Sequence, residues 1–284
     1  MIDQLLESKA GTKFELVKEV GIGSLKSSRV FLAEEVGTSK PVCLKIAERD
    51  FEREYHVLDE LLKLIDNERK KNSGISLPTI PIPHEFGELR FEGQQQHYLS
   101  RQFIVGINLF DYFKDHSFES IEERIAAVID AVTSASVVVE YIHNKGKYHR
   151  DLKPYDFITD GKKACLIDFE SVLNEGEYCL DMHPLFSAPE ATGSIYSALP
   201  DHKSDIYSLG MIAFALLASS SQEATREFLA RRKSYTLNEL NEIYGLGIPD
   251  NLMQVIAKAT SWTPNSRYDK TSDLVADLEK TKIH

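Results

Sequence analysis

Apolar and polar residues alternate over short stretches in the first hundred positions, at 14–20, 29–34, 41–47 and 97–105, with turn residues between them. Side chains on a strand point to opposite faces in turn, so this two-residue period predicts four strands. A different period interrupts them at 51–65, where Phe51, Tyr55, Leu58, Leu61, Leu62 and Ile65 recur at steps of three and four. That spacing places them on one face of a helix. Beyond Gly106 the helical period dominates, over 121–143, 204–219, 248–260 and 271–282. The pattern predicts an α+β chain, with a small β-rich half at 1–105 carrying one helix and a larger helical half at 106–284.

The stretch 66–88 holds Gly74, Pro78, Pro81 and Pro83. Its proline spacing favours extended backbone and predicts a surface connection. No internal repeat or low-complexity tract is visible.

Composition narrows the function classes. The 284 residues carry 33 Lys and Arg against 44 Asp and Glu, a formal charge of −11. A nucleic-acid or anionic-membrane surface needs a basic stripe, so neither is expected as a partner. Cys43, Cys165 and Cys179 are too scattered for a disulfide framework or a zinc site and fit a reducing compartment. Charged residues interrupt the amino terminus, and the apolar run 212–218 is short for a membrane span. A cytoplasmic protein is expected.

The run His149-Arg150-Asp151-Leu152-Lys153-Pro154 follows the longest helical stretch. It sets an acid, a base and two cations on a loop closed by proline. Such a loop could orient a hydroxyl through Asp151 while Lys153 neutralises charge developing on a phosphoryl group; a solvated charged turn is the plainer alternative. Seventeen positions after Asp151, the apolar run 164–167 ends in Asp168-Phe169. That acid, at a strand end, suits a metal-bound phosphate and favours the catalytic reading.

Taken together, these stretches resemble a Hanks-type serine/threonine protein kinase over about 14–278. Gly21-Ile22-Gly23 with Val30 resembles the glycine-rich loop over the nucleotide phosphates, and Val42-Cys43-Leu44-Lys45 the strand bearing the phosphate-binding lysine. Glu54 sits where that lysine's carboxylate partner is placed. Asp168-Phe169 is similar to the metal-binding motif, and Ala188-Pro189-Glu190 to the end of the activation segment, whose glutamate pairs with Arg267.

The resemblance implies a bilobal fold and ATP-dependent transfer of the γ-phosphate to Ser/Thr hydroxyls of protein substrates, the chain itself included. Lys45, held by Glu54, would grip the α- and β-phosphates. Asp151 would accept the hydroxyl proton and Lys153 would contact the γ-phosphate. Asp156 and Asp168 would hold Mg²⁺, with Mn²⁺ as an alternative. Gln102, Phe103 and Ile104 would form the adenine hinge, with Val30, Cys43 and Ile158 sandwiching the base. The alternatives are a small-molecule phosphotransferase and a catalytically silent ATP-binding scaffold.

Five positions depart from the family pattern. Asp156 replaces an asparagine, Glu170 replaces the glycine after Asp168-Phe169, and His183 replaces a threonine near the catalytic aspartate. The glycine-rich loop lacks its third glycine and reads as two residues longer, with Ser24, Lys26, Ser27 and Ser28 in its tip. Arg101 takes a position that is usually apolar or small, behind the nucleotide, and a buried cation there requires a carboxylate or ordered water. Glu170 is the expected partner, because Glu54 would otherwise be drawn from Lys45. Arg150 is expected to pair with acidic residues of the activation segment, among them Glu170, Glu175, Glu177 and Asp181, so that activity would not need a phosphate on the segment's hydroxyl candidates, Ser171 and Tyr178. The run 231–233 reads as a solvated helix end.

Overall fold

The computed structural model describes residues 4–22, 28–38, 40–71, 77–174, 177, 185–191, 200–221 and 236–282. Among the sequence expectations, those on Gly23, on 24–27, on Glu175, Tyr178, Cys179, Asp181 and His183, and on 231–233 lie outside the described residues. The chain divides into two compact units, Met1–Ile104 and Val105–His284.

In the first unit, β1 (Gln4–Glu7), β2 (Lys13–Ile22), β3 (Arg29–Glu35), β4 (Lys40–Ala47), β5 (Pro83–Phe91) and β6 (Gln94–Gln102) form one sheet, and α1 (Glu52–Lys71) lies between β4 and β5 in the chain. The strand order is β1-β2-β3-β4-β6-β5, with antiparallel neighbours. Ser8 bridges Leu89 on β5, and the Lys9 N–H donates to the Glu88 carbonyl at 2.9 Å. The start of the chain thus covers the backbone edge that β5 would otherwise leave open. One face buries Phe14, Leu16, Phe31, Ala33, Val42, Leu44, Phe91 and Tyr98, and the rings of Phe14 and Tyr98 meet edge to face at 5.5 Å.

Two expectations for this unit need correction. The segment 66–88 is more than a connection: α1 continues to Lys71, and β5 begins at Pro83. Arg69, Lys70 and Lys71 in the last turn of α1 suit the negative end of a helix. Pro83 is tolerated because it is the first residue of an edge strand. The last predicted strand also runs earlier than 97–105, ending at Gln102.

The second unit contains α2 (Leu109–Asp115), α3 (Ile121–His143), α4 (His202–Ala218), α5 (Leu237–Ile243), α6 (Asp250–Ala259) and α7 (Thr271–Glu279). Its strands are short: β7 (Ile107–Asn108), β8 (Lys147–Tyr148), β9 (Phe157–Thr159), β10 (Ala164–Leu166) and β11 (Leu173–Asn174), paired as β10-β9-β7 and β11-β8. From Ser204 to Ala218, α4 is buried on every side, which makes it the axis of the unit. By length and composition α3 could cross a membrane; here it packs on α4 and α7. The Ser120 hydroxyl caps its start by accepting from the Glu123 N–H at 3.2 Å. Gly210 allows a close approach of helices, since a β-carbon there would lie 2.8 Å from Ala259 Cβ.

Candidate active site

The functional side chains of the first unit converge on Glu54. Lys45 is the polar residue in the buried run of β4, paired in register with Val30 on β3 and Leu99 on β6. Its Nζ lies 2.8 Å from Glu54 Oε2, with both side chains 2% exposed. Glu54 stands in the first turn of α1, where the helix dipole favours a carboxylate. The second oxygen, Oε1, lies 3.5 Å from Arg101 Nη1, and Arg101 is also buried. This corrects the expectation that Glu54 would be left to Lys45: one carboxylate serves both cations, an oxygen to each.

Of the residues expected around a nucleotide in this unit, Gly21 pairs in register with Val30, and the space where its β-carbon would point is open. Cys43 is buried on β4 opposite Arg101. Gln102 ends β6, and Phe103 and Ile104 continue as irregular backbone.

In the second unit the catalytic-loop sequence hangs from α4. Asp205, buried in that helix, accepts from the main-chain N–H groups of His149 (2.8 Å, Oδ2) and Arg150 (2.5 Å, Oδ1). His143, at the end of α3, adds its Nε2 at 2.8 Å from Oδ2. Burial pushes the Asp205 carboxyl up, but His143, by hydrogen bond and charge, and His149 hold it below the usual carboxylate range. His149 Nε2 lies 2.7 Å from the Asp168 carbonyl oxygen, tying the loop to the second acidic motif. Both histidines therefore act through hydrogen bonds.

Arg150 has φ +67°, in the left-handed region that a side chain disfavours by roughly 1 kcal/mol or more. Its guanidinium donates to the main-chain carbonyls of Asn174, at 3.2 Å, and Glu177. The Glu177 carboxylate accepts from the Asn174 N–H at 3.0 Å. Arg150 thus meets the described part of the activation segment at main-chain oxygens.

Asp151, Asp156 and Asp168 surround Lys153, whose Nζ is 2.9 Å from Asp151 Oδ2 and 3.3 Å from Asp156 Oδ1. Burial would lower the Lys153 ammonium, but Asp156, Asp151 and Asp168 together hold it above its ordinary value. Burial pushes the Asp156 carboxyl well up; Lys153 opposes the rise, while Asp168 and Asp151 add to it. Three buried carboxyl groups around one ammonium offer hard oxygen donors, which fit a divalent cation such as Mg²⁺. Phe169 is fully buried behind Asp168. Glu170 is absent from the non-glycine residues with positive φ, so replacing glycine here creates no left-handed strain. Ile158 lies on β9, paired with Asn108 and Cys165.

Ser187 was not singled out by sequence reasoning. Its hydroxyl donates to Asp151 Oδ1 at 3.1 Å. Three positions on, Glu190 forms a buried two-pronged pair with Arg267, at 2.6 and 2.8 Å, and accepts from the Ser204 hydroxyl at 2.8 Å.

The sequence model of the protein kinase domain matches residues 14–276. The chain belongs to the protein kinase family. Among curated proteins it is similar to serine/threonine-protein kinase PrkC of Bacillus subtilis, 22% identical across 97% of this chain and 41% of PrkC. Serine/threonine-protein kinase PknB of Mycobacterium tuberculosis is 21% identical across 98% of this chain and 44% of PknB. This chain therefore spans about two-fifths of the length of these relatives. Among solved structures, the PknI kinase domain of M. tuberculosis superposes with a TM-score of 0.59 at 18% identity, covering 99% of this chain and 98% of that one. At that identity the likeness speaks for the fold: a β-sheet lobe followed by a helical lobe.

Proposed function

We propose that the chain is an ATP- and Mg²⁺-dependent protein kinase that phosphorylates serine and threonine hydroxyls of protein acceptors, itself among them, in the cytoplasm. The observation that carries this reading is the buried group formed by Asp151, Lys153, Asp156 and Asp168. It offers a carboxylate to a hydroxyl, an ammonium to a phosphoryl oxygen and further oxygen donors to a metal. The names of PrkC and PknB, both serine/threonine-protein kinases, support the same choice of acceptor.

In this reading Lys45, held by Glu54, binds the α- and β-phosphates. Gln102, Phe103 and Ile104 bind the adenine edge, and Val30, Cys43 and Ile158 its faces. Asp151 orients the acceptor hydroxyl and takes its proton as the oxygen bonds to the γ-phosphorus and the bond to ADP breaks. Lys153 balances charge on the transferred group. Asp156 and Asp168 would hold Mg²⁺, which supplies charge neutralisation when bound.

The test is incubation of the purified chain with γ-labelled ATP and Mg²⁺, offering a protein acceptor, an aminoglycoside and choline in parallel. Label on serine or threonine of protein is expected. Label on a small alcohol, or no transfer from a chain that binds ATP, overturns the proposal.

A further inference from the structure

We propose that Ser187 is a positioning residue for phosphoryl transfer, its hydroxyl setting the orientation of the Asp151 carboxylate. The inference rests on the kinase reading above and adds to it a residue outside the groups assigned there. Asp151 is 4% exposed, and its two oxygens have different partners: Lys153 Nζ at 2.9 Å on Oδ2 and the Ser187 hydroxyl at 3.1 Å on Oδ1. A carboxylate only accepts, so the hydroxyl hydrogen is the donor. The last torsion of an aspartate is broad, so a bond to one oxygen restrains the carboxylate plane less than bonds to both. A second, charge-assisted bond on the other oxygen fixes the plane.

Ser187 is itself rigidly mounted. It is 2% exposed, between the fully buried Phe186 and Ala188, and Glu190 anchors the same short segment through Arg267 and Ser204. The orientation of the proton acceptor is therefore set before any substrate arrives, by a segment distant in sequence from the catalytic loop. Preorganisation of this kind accelerates a step whose catalysis is mostly positioning.

The test compares Ser187→Ala, Ser187→Cys and Ser187→Thr in the full chain, measuring kcat, KM for ATP and for a protein acceptor, and thermal unfolding. Cysteine preserves the volume but donates weakly; threonine keeps the hydroxyl. Ala and Cys are expected to lower kcat by about 10- to 100-fold, the range for one hydrogen bond to a charged group, with KM for ATP within about twofold. Thr is expected to retain kcat within about threefold. Should the Ala variant fail to fold, the Cys and Thr pair carries the comparison.

Ala and Cys variants with wild-type kcat overturn the proposal. So does a Thr variant as impaired as Ala, which marks a packing role, or transferred phosphate on Ser187 itself, which marks it as an acceptor. A wild-type chain that binds ATP and transfers nothing overturns the kinase reading and this inference with it, whereas an active wild type with unaffected Ala and Cys variants overturns this inference alone.

Discussion

The two units treat buried charge in opposite ways. In the first, Lys45 and Arg101 share the single carboxylate of Glu54; in the second, Asp151, Asp156 and Asp168 share the single ammonium of Lys153. Burying such groups is costly in either unit, because a buried charge is unfavourable by several kcal/mol in order of magnitude unless it is compensated. The two sets suit different ligands, the cations phosphate oxygens and the carboxylates a divalent cation. The difference teaches that each unit gathers charge of one sign around a single counter-ion.

Breaking the anionic cluster should have the largest effect. Asp151→Asn keeps shape but removes the proton acceptor, and we expect phosphoryl transfer to fall by about 10²- to 10⁴-fold with ATP affinity nearly unchanged, read by single-turnover assay and ATP titration. In the cationic cluster, Glu54→Ala removes the carboxylate that two buried cations contact and should cost about 3–5 kcal/mol in urea unfolding. Arg101→Met removes one of them, so the double variant Glu54→Ala with Arg101→Met should be more stable than the sum of the single effects predicts, by about 1–2 kcal/mol in a double-mutant cycle. Additive effects would mean that the 3.5 Å contact carries no energy.

Smaller changes sharpen the contrast. Asp156→Asn lowers the negative charge near Asp168 and should retain transfer while raising the Mg²⁺ concentration for half-maximal rate several-fold. An unchanged or lower requirement would detach the extra carboxylate from metal binding. The smallest effect is expected for Ser171→Ala with Tyr178→Phe. Arg150 already meets main-chain carbonyls of Asn174 and Glu177, so initial rates should stay near wild type. Loss of nearly all activity in this folded variant would show that a phosphate is required.

Much of this was legible in the sequence, and the failures have physical causes. The helix expected at 121–143 occurs as Ile121–His143, because a long apolar stripe and a serine cap fix its ends locally. Lys45, Glu54 and the Glu190–Arg267 pair follow from motif spacing, and the structure places each pair within hydrogen-bond distance. β1 escaped notice because four residues give too little alternation, and α2 because seven give too little helical period. β5 was hidden by the proline at its start, which a sheet edge tolerates. The expectation that Glu54 would be left to Lys45 rested on the premise that a carboxylate serves one cation, whereas its two oxygens serve two. Ser187 had no signal beyond lying next to Ala188-Pro189-Glu190, since a hydroxyl on a distant carboxylate is a tertiary contact.

The central proposal is that Lys45 serves the phosphates of ATP and Asp168 a divalent cation, and the Mg²⁺ dependence of ATP affinity tests it most directly. Calorimetric titration of ATP into wild type, Lys45→Met and Asp168→Asn, with and without Mg²⁺, separates the two roles. The account predicts that Lys45→Met weakens ATP binding in both conditions, while Asp168→Asn loses only the gain that Mg²⁺ gives the wild type. An Asp168→Asn variant with the full wild-type response to Mg²⁺ would contradict it.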